Sequence, residues 1–196
     1  MRTVRYWYVI NRQGLQVQNA KWEAMDMESA LKNYLAAKSG GKNAPWLGVL
    51  HRLDQPVEGV IVFAKTSAAA ANINRQMTTD GIGKIYLAVT DRKVMDKEKK
   101  LIDYLYRDGR KKYVFCDRKK RLRELKKAVL SYKLLEEISD NRTVSGYRSL
   151  VRIQLETGRH HQIRVQMSHT GLPLIGDRNI IPKTARGCLW GCAPAV

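Results

Sequence analysis

Cysteine is scarce: the three present, Cys116, Cys188 and Cys192, are an odd number that excludes a closed disulfide framework. The last two are separated by Leu-Trp-Gly, which is not a usual zinc pairing, so reduced thiols are expected. Long apolar runs are also missing. None approaches the ~20 residues that a membrane-spanning helix needs, and the arginine-bearing start, Met1 to Ile10, lacks a secretory layout. The expected compartment is the cytoplasm. No stretch rich in glycine, serine and proline divides the 196 residues, which read as one domain, 1–196, long enough for a substantial core. Acidic residues are few: 18 Asp and Glu face 36 Lys and Arg, a net charge of +18. That excess is too large to serve solubility alone. It points to a polyanionic partner, nucleic acid ahead of an anionic membrane surface.

The pattern along the chain alternates strands and helices. Val4–Ile10 and Gly14–Val17 read as short strands around a turn at Asn11–Gly14. From Met25 to Lys38, Met27, Leu31, Tyr34 and Leu35 recur at helical spacing and are expected in the core, with Ser39-Gly40-Gly41 as the stop. Trp46–Leu50 is extended, Gly59–Lys65 reads as a buried strand, and Ser67 caps a helix through Ala68–Ala71 with Met77 on its inner face and Gly81 at its end. The next strand, Lys84–Val89, puts Ile85, Leu87 and Val89 on one face and Tyr86 on the other.

Residues 91–100 are charged and unpatterned, and Asp108-Gly109 then reads as a hairpin turn between Leu101–Tyr106 and Tyr113–Cys116, with Arg110–Lys112 beside it. Residues 118–127 carry seven positive side chains and one negative, which suits an arm that tracks phosphates better than a merely solvated face. Ala128–Glu136 and Leu150–Leu155 are two further strands about a turn at Ser139–Asn141 and Gly146. In Thr157–Met167, Ile163, Val165 and Met167 alternate as in a strand, whereas a helix would put Gln162 and Gln166 on one side. The exit signal Ser168-His169-Thr170-Gly171 favours the helix.

Three polar clusters stand out against this background. His51-Arg52-Leu53-Asp54 lies just before the apolar strand that begins at Gly59. A carboxylate two residues from an arginine at the lip of a sheet is a place for a working acid, although Asp-x-Pro-x-x-Gly is also ordinary turn chemistry. The others are Lys84-Ile85-Tyr86-Leu87-Ala88 and Leu155-Glu-Thr-Gly-Arg-His-His-Gln-Ile-Arg-Val165, which runs on to Gly-Leu-Pro-Leu-Ile-Gly-Asp at 171–177.

In order and spacing this set of motifs resembles the RluA family of RNA pseudouridine synthases, over roughly residues 46–90 and 126–177. The resemblance implies an α+β fold, a single catalytic domain with a long mixed antiparallel sheet, flanking helices and a central RNA cleft. It implies an isomerase that converts specific uridines of ribosomal or transfer RNA to pseudouridine. Asp54 would be the nucleophile, Arg164 its partner, and Tyr86 would lie against the target base. Arg52 would fill the gap left by that base, and His51, Lys84, Arg159, His161 and Gln162 would contact RNA. No metal, nucleotide or redox cofactor is demanded, because the reaction neither adds nor removes atoms. Members of that family often act as monomers.

Departures from the family pattern are Val57-Glu58 where many relatives have Thr-Ser, His160 in place of a common threonine, and no Tyr-Gly after Asp177. No S4-type domain is expected at the chain's start, and the closing strand that many relatives carry is expected to be missing at its end. Two other classes compete. One is an RNA-binding module that keeps the fold without the chemistry. The other is a metal-dependent nuclease built on His51, His160, His161 and His169, which lacks the fixed ligand spacing and carboxylate support that metal sites need.

Overall fold

The computed structural model describes residues 5–18, 25–41, 45–54, 57–79, 81–107, 114–117, 125–143 and 145–177, and in them the chain is α+β, as its sequence leads one to expect. Two compact units form, Met1–Ile82 and Gly83–Val196, each with a sheet of its own.

In the first unit, β1 (Tyr6–Asn11), β2 (Gly48–Val49) and β3 (Gly59–Ala64) make an antiparallel sheet with β3 in the middle. Period-two alternation decides what β3 buries: Ile61 and Phe63 are fully enclosed, while Val60 faces outward. They pack with Trp7, Val17, Met27 and Leu47. Burying one such side chain stabilises the unit by about 1.5–3 kcal/mol. Helix α1 (Met27–Lys38) starts two residues later than its apolar spacing suggests, because the Asp26 carboxylate caps it by accepting the Ser29 N–H at 2.7 Å.

The expected strand at 14–17 does not form. Its carbonyls serve the helix instead: Gln16 and Val17 accept the Met27 and Glu28 N–H groups at 3.0 and 3.1 Å, filling donors that every helix start leaves open. Tyr34, expected in the core, is half exposed with its ring edge against Trp7. Helix α2 (Ser67–Thr78) is capped by Thr66 where Ser67 was expected, since Thr66 Oγ1 accepts the Ala69 N–H at 3.2 Å. The side chains it buries are Ala69 and Ile73, and Met77 stays at the margin.

The second unit holds β4 (Lys84–Thr90), β5 (Glu98–Arg107), β6 (Val114–Asp117), β7 (Lys126–Ser139) and β8 (Tyr147–Leu155), antiparallel in the order β4-β8-β7-β5-β6. Strand β5 begins inside the charged stretch that shows no sequence pattern, because Glu98 pairs with Lys133 and Lys100 lies opposite Ser131. Strands β5 and β6 pair as a hairpin would. The expected turn at Asp108-Gly109, the Arg110–Lys112 cluster, residues 118–124 and everything after Asp177 lie outside the described residues. The 157–167 ambiguity resolves to a helix, α3 (Gln162–His169), whose Met167 enters the core formed by Leu101, Leu130, Tyr132, Val151 and Ile153.

Strand β4 separates its two faces as the alternation of its residues predicts. Tyr86 does lie opposite Ile85, Leu87 and Val89, yet it is Tyr86 that packs against the core, while those three side chains are 53%, 66% and 40% exposed.

Candidate active site

The site residues expected from the sequence divide between the two units: His51, Arg52 and Asp54 belong to the first, and Lys84, Tyr86, Arg159, His161, Gln162 and Arg164 to the second.

In the first unit, β2 ends at Val49 and the chain runs on through His51-Arg52-Leu53-Asp54 to a turn in which the Asp54 carbonyl accepts the Val57 N–H at 2.9 Å. Asp54 is half-buried and Arg52 exposed. Leu53 packs on the unit's core and reaches Gly59, where an added β-carbon would stand 3.1 Å from its Cδ1. Glycine opens this strand so that Leu53 can close over it. His51, expected at the RNA, is used inside the fold, its Nε2 accepting the Val62 N–H at 3.1 Å. Glu58, the departure in the turn, accepts the Gln13 N–H at 3.3 Å and so ties the turn after β1 to the start of β3.

In the second unit, Arg164 projects from α3 onto Asp177. The guanidinium forks across the carboxylate, Nε to Oδ2 at 2.8 Å and Nη2 to Oδ1 at 2.7 Å, with both side chains largely buried. Bidentate charge-assisted pairing of this kind fixes direction as well as distance. The turn-rich 171–177 loop delivers Asp177. Asp91 donates its N–H to Pro173 and Ile175 donates its own to Val89, stitching the loop to the end of β4. Gly176, at φ +81°, turns the chain back. Asp177 is the observed partner of Arg164, and the Gly-Asp of its motif is the sequence signal that points to it.

The helix that carries Arg164 is held by a buried polar chain. Gln162, expected at the RNA surface, is 3% exposed, and its amide is spent inside. Oε1 accepts from Thr157 Oγ1 at 2.8 Å and from the Arg159 N–H at 2.9 Å, while Nε2 donates to the Val129 carbonyl and to Gln166 Oε1, both at 3.0 Å. Gln166, fully enclosed, donates to Asp103 Oδ2 at 2.9 Å, and Asp103 Oδ1 lies 3.0 Å from His169 Nδ1. Gln162, Gln166 and His169 recur along one side of α3, which orients Arg164 toward the other. The i, i+4 spacing of the glutamines was legible. Asp103 was not, since it lies 63 residues from Gln166 and only strand pairing brings it under the helix.

At the start of α3, His161 is the one described non-glycine residue with positive φ, 51°, and its ring stacks on His160 at 3.7 Å between centroids. Arg159 is exposed and donates through Nε to the Lys127 carbonyl at 3.0 Å, and the Lys84 ammonium lies above Gly158. Lys84, Arg159, His160 and His161 therefore surround one helix start with cationic or cation-forming groups. Tyr86 sits two residues along β4 from Lys84, paired with Ile153. No set of three or more His, Cys, Asp or Glu side chains is placed to hold a metal among the described residues.

The family model described as RNA pseudouridylate synthase matches residues 6–169. Ribosomal large subunit pseudouridine synthase D of Pseudomonas aeruginosa is 35% identical over 69% of this chain and 38% of its own length, and the protein of the same name from Haemophilus influenzae is 33% identical over 68% and 38%. Among solved structures, human RNA pseudouridylate synthase domain containing 4 superposes with a TM-score of 0.69 at 25% identity, over 90% of this chain and 66% of that one. The chain spans about two-fifths of the length of the relatives it matches in sequence. With its RluA-type motifs set on these two units, the chain belongs to the RNA pseudouridylate synthase family.

Proposed function

We propose that this chain is an RNA pseudouridine synthase catalytic domain, acting on uridines of ribosomal or transfer RNA in the cytoplasm. The observation that carries the reading is the joint presence of Asp54 on a turn pinned to its sheet and Arg164 on a helix pinned to its own, within a chain of this family. The net charge of +18 supports an RNA partner.

The chemistry follows from the residue types. A stacked uridine hides C1′ and C5, so it must be turned out of the helix at a cost of a few kcal/mol, which cationic contacts offset. Arg52 fills the space it leaves. The Asp54 carboxylate attacks C1′ covalently, and Arg164, the partner that the family resemblance implies for it, serves to keep it charged where a lone buried carboxylate would take up a proton. The N1–C1′ bond breaks as the Asp54 oxygen bonds to C1′, the uracil rotates against Tyr86, and C5 bonds to C1′ as the Asp54–C1′ bond breaks and the carboxylate is released. The proton on C5 leaves to Tyr86 or a water it orients, N1 gains a proton, and composition is unchanged. Lys84, Arg159 and His161 hold backbone phosphates.

The test is tritium release from RNA labelled at uracil C5, taken from cells lacking this protein, with wild type beside Asp54→Asn. Release by wild type alone supports both the isomerase and its nucleophile. RNA binding without release from any cellular RNA favours a binding module that retains the fold.

A further inference from the structure

We infer that His51 is a positioning residue for Asp54 and not an RNA contact, its neutral ring ending the β2–β3 ladder and setting where the Asp54 turn leaves the sheet. This rests on Asp54 being the nucleophile and deepens that reading.

The Val62 N–H carries a proton fixed by the backbone and lies 3.1 Å from His51 Nε2, so that nitrogen must present a lone pair. The ring proton is then on Nδ1 and the imidazole is neutral, since an imidazolium has nothing to accept with. Register shows what the ring replaces. Gly48 pairs with Ala64 and Val49 with Phe63, so the next backbone partner for Val62 would be Leu50, but the strand pairing stops at Val49. A central strand cannot leave an N–H unanswered at little cost, and the side chain two residues past the strand end answers this one.

From that point the chain is held at close intervals. The His51 ring is on Val62, Leu53 is on the core and over Gly59, and the Asp54 carbonyl is on the Val57 N–H. Arg52, between them, is exposed. The motif thus alternates anchors with working groups: His51 and Leu53 hold, while Arg52 and Asp54 face the chemistry. A carboxylate that must meet a sugar carbon tolerates little drift, since misplacement by ~1 Å costs on the order of 100-fold in rate.

The experiment compares wild type, His51→Leu, His51→Gln and Asp54→Asn as the full 196-residue chain, by single-turnover tritium release and filter binding on the same labelled total RNA. Leucine fills the space without an acceptor, whereas the glutamine Oε1 reaches about as far as Nε2. His51→Leu is expected to slow release about 10- to 100-fold with RNA affinity changed by less than about twofold, and His51→Gln to recover most of the rate. Nitrogen-15 spectra of the wild-type ring are expected to report the Nδ1–H tautomer, and the Val62 amide should exchange faster in His51→Leu while other β1–β3 amides keep their protection.

Weaker RNA binding in both variants with unchanged turnover of the bound complex would overturn the proposal and return His51 to the RNA surface. So would an Nε2–H ring, or full activity in His51→Leu. Should Asp54→Asn release tritium like wild type, the nucleophile reading fails and positioning of a nucleophile fails with it, while the tautomer and Val62 exchange still decide whether His51 anchors the turn.

Discussion

The two units each hold one charged group for the proposed reaction, and they do so by different means. In the first, Asp54 is fixed from the margin of a three-stranded sheet by short-range anchors, a ring on a strand N–H and a turn hydrogen bond, all within residues 51–62. In the second, Arg164 is fixed from beneath: its helix is tied by a chain of buried amides and one carboxylate that reaches β5 and β7, and its guanidinium is clasped by Asp177. A carboxylate on a turn needs only its backbone held. An arginine has a long, rotamer-rich stem, so both the helix under it and the head at its far end must be fixed before it is directed.

Removing the charge in the first unit is expected to have the largest effect. Asp54→Asn should lower tritium release by at least about 1,000-fold with little change in stability, as losses of nucleophiles do. A comparable loss of stability would break the comparison, since it would make Asp54 a fold element.

Next comes the network under α3. Asp103→Ala removes one partner of a pair whose side chains are 5% and 7% exposed, and leaves the Gln166 amide only its longer bonds to the Leu101 and Ala128 carbonyls, at 3.4 and 3.3 Å. The second unit should lose about 1–3 kcal/mol in urea unfolding, the cost of removing a buried hydrogen-bond partner. Gln162→Leu and Gln166→Leu should each cost about 1–3 kcal/mol. If either leaves the urea midpoint unchanged, α3 is held by its apolar residues alone.

Asp177→Asn keeps the shape and removes the charge opposite Arg164. It should reduce turnover about tenfold and stability by no more than about 1–3 kcal/mol, the worth of a hydrogen bond to a charged group. An unchanged rate would mean that Asp177 does not direct the guanidinium.

The smallest effect is on acid stability. Hydrogen bonds from Arg142, joined by the charge of Arg148, hold the Asp140 carboxyl down to about 2 from its ordinary 3.8. A depressed folded-state value stabilises the protein above pH 3.8, and that contribution is lost as pH falls from 3.8 toward 2. Asp140→Asn should flatten the fall of the urea midpoint across that window. An unaltered slope would detach this turn from acid unfolding.

Much of this was legible because local chemistry carries it. Strand β3 follows from alternation, α1 from its periodicity and its Ser-Gly-Gly stop, α2 from its run of alanines, and α3 from its exit signal and the spacing of its glutamines. The family follows from the order of its motifs. The misreadings share one cause: an isolated stretch does not reveal what lies across from it. Residues 14–17 have strand-like composition but spend their carbonyls on α1, and β5 begins among charges because β7 offers it partners. Alternation divides the faces of β4, but its position beside β8 decides which side meets the core.

The sequence by itself determined the composition of the site and the family, because residue type and spacing are set along the chain: a carboxylate after His-Arg-Leu, an arginine after His-Gln-Ile, and a cationic surface for a polyanion. Only the tertiary structure decided which polar residues face inward. His51, Gln162 and Glu58 each carry groups able to meet RNA, yet each satisfies a backbone N–H within the fold. The reason is physical: a backbone donor left without a partner costs more than a surface side chain gains in water, so the fold claims nearby acceptors first.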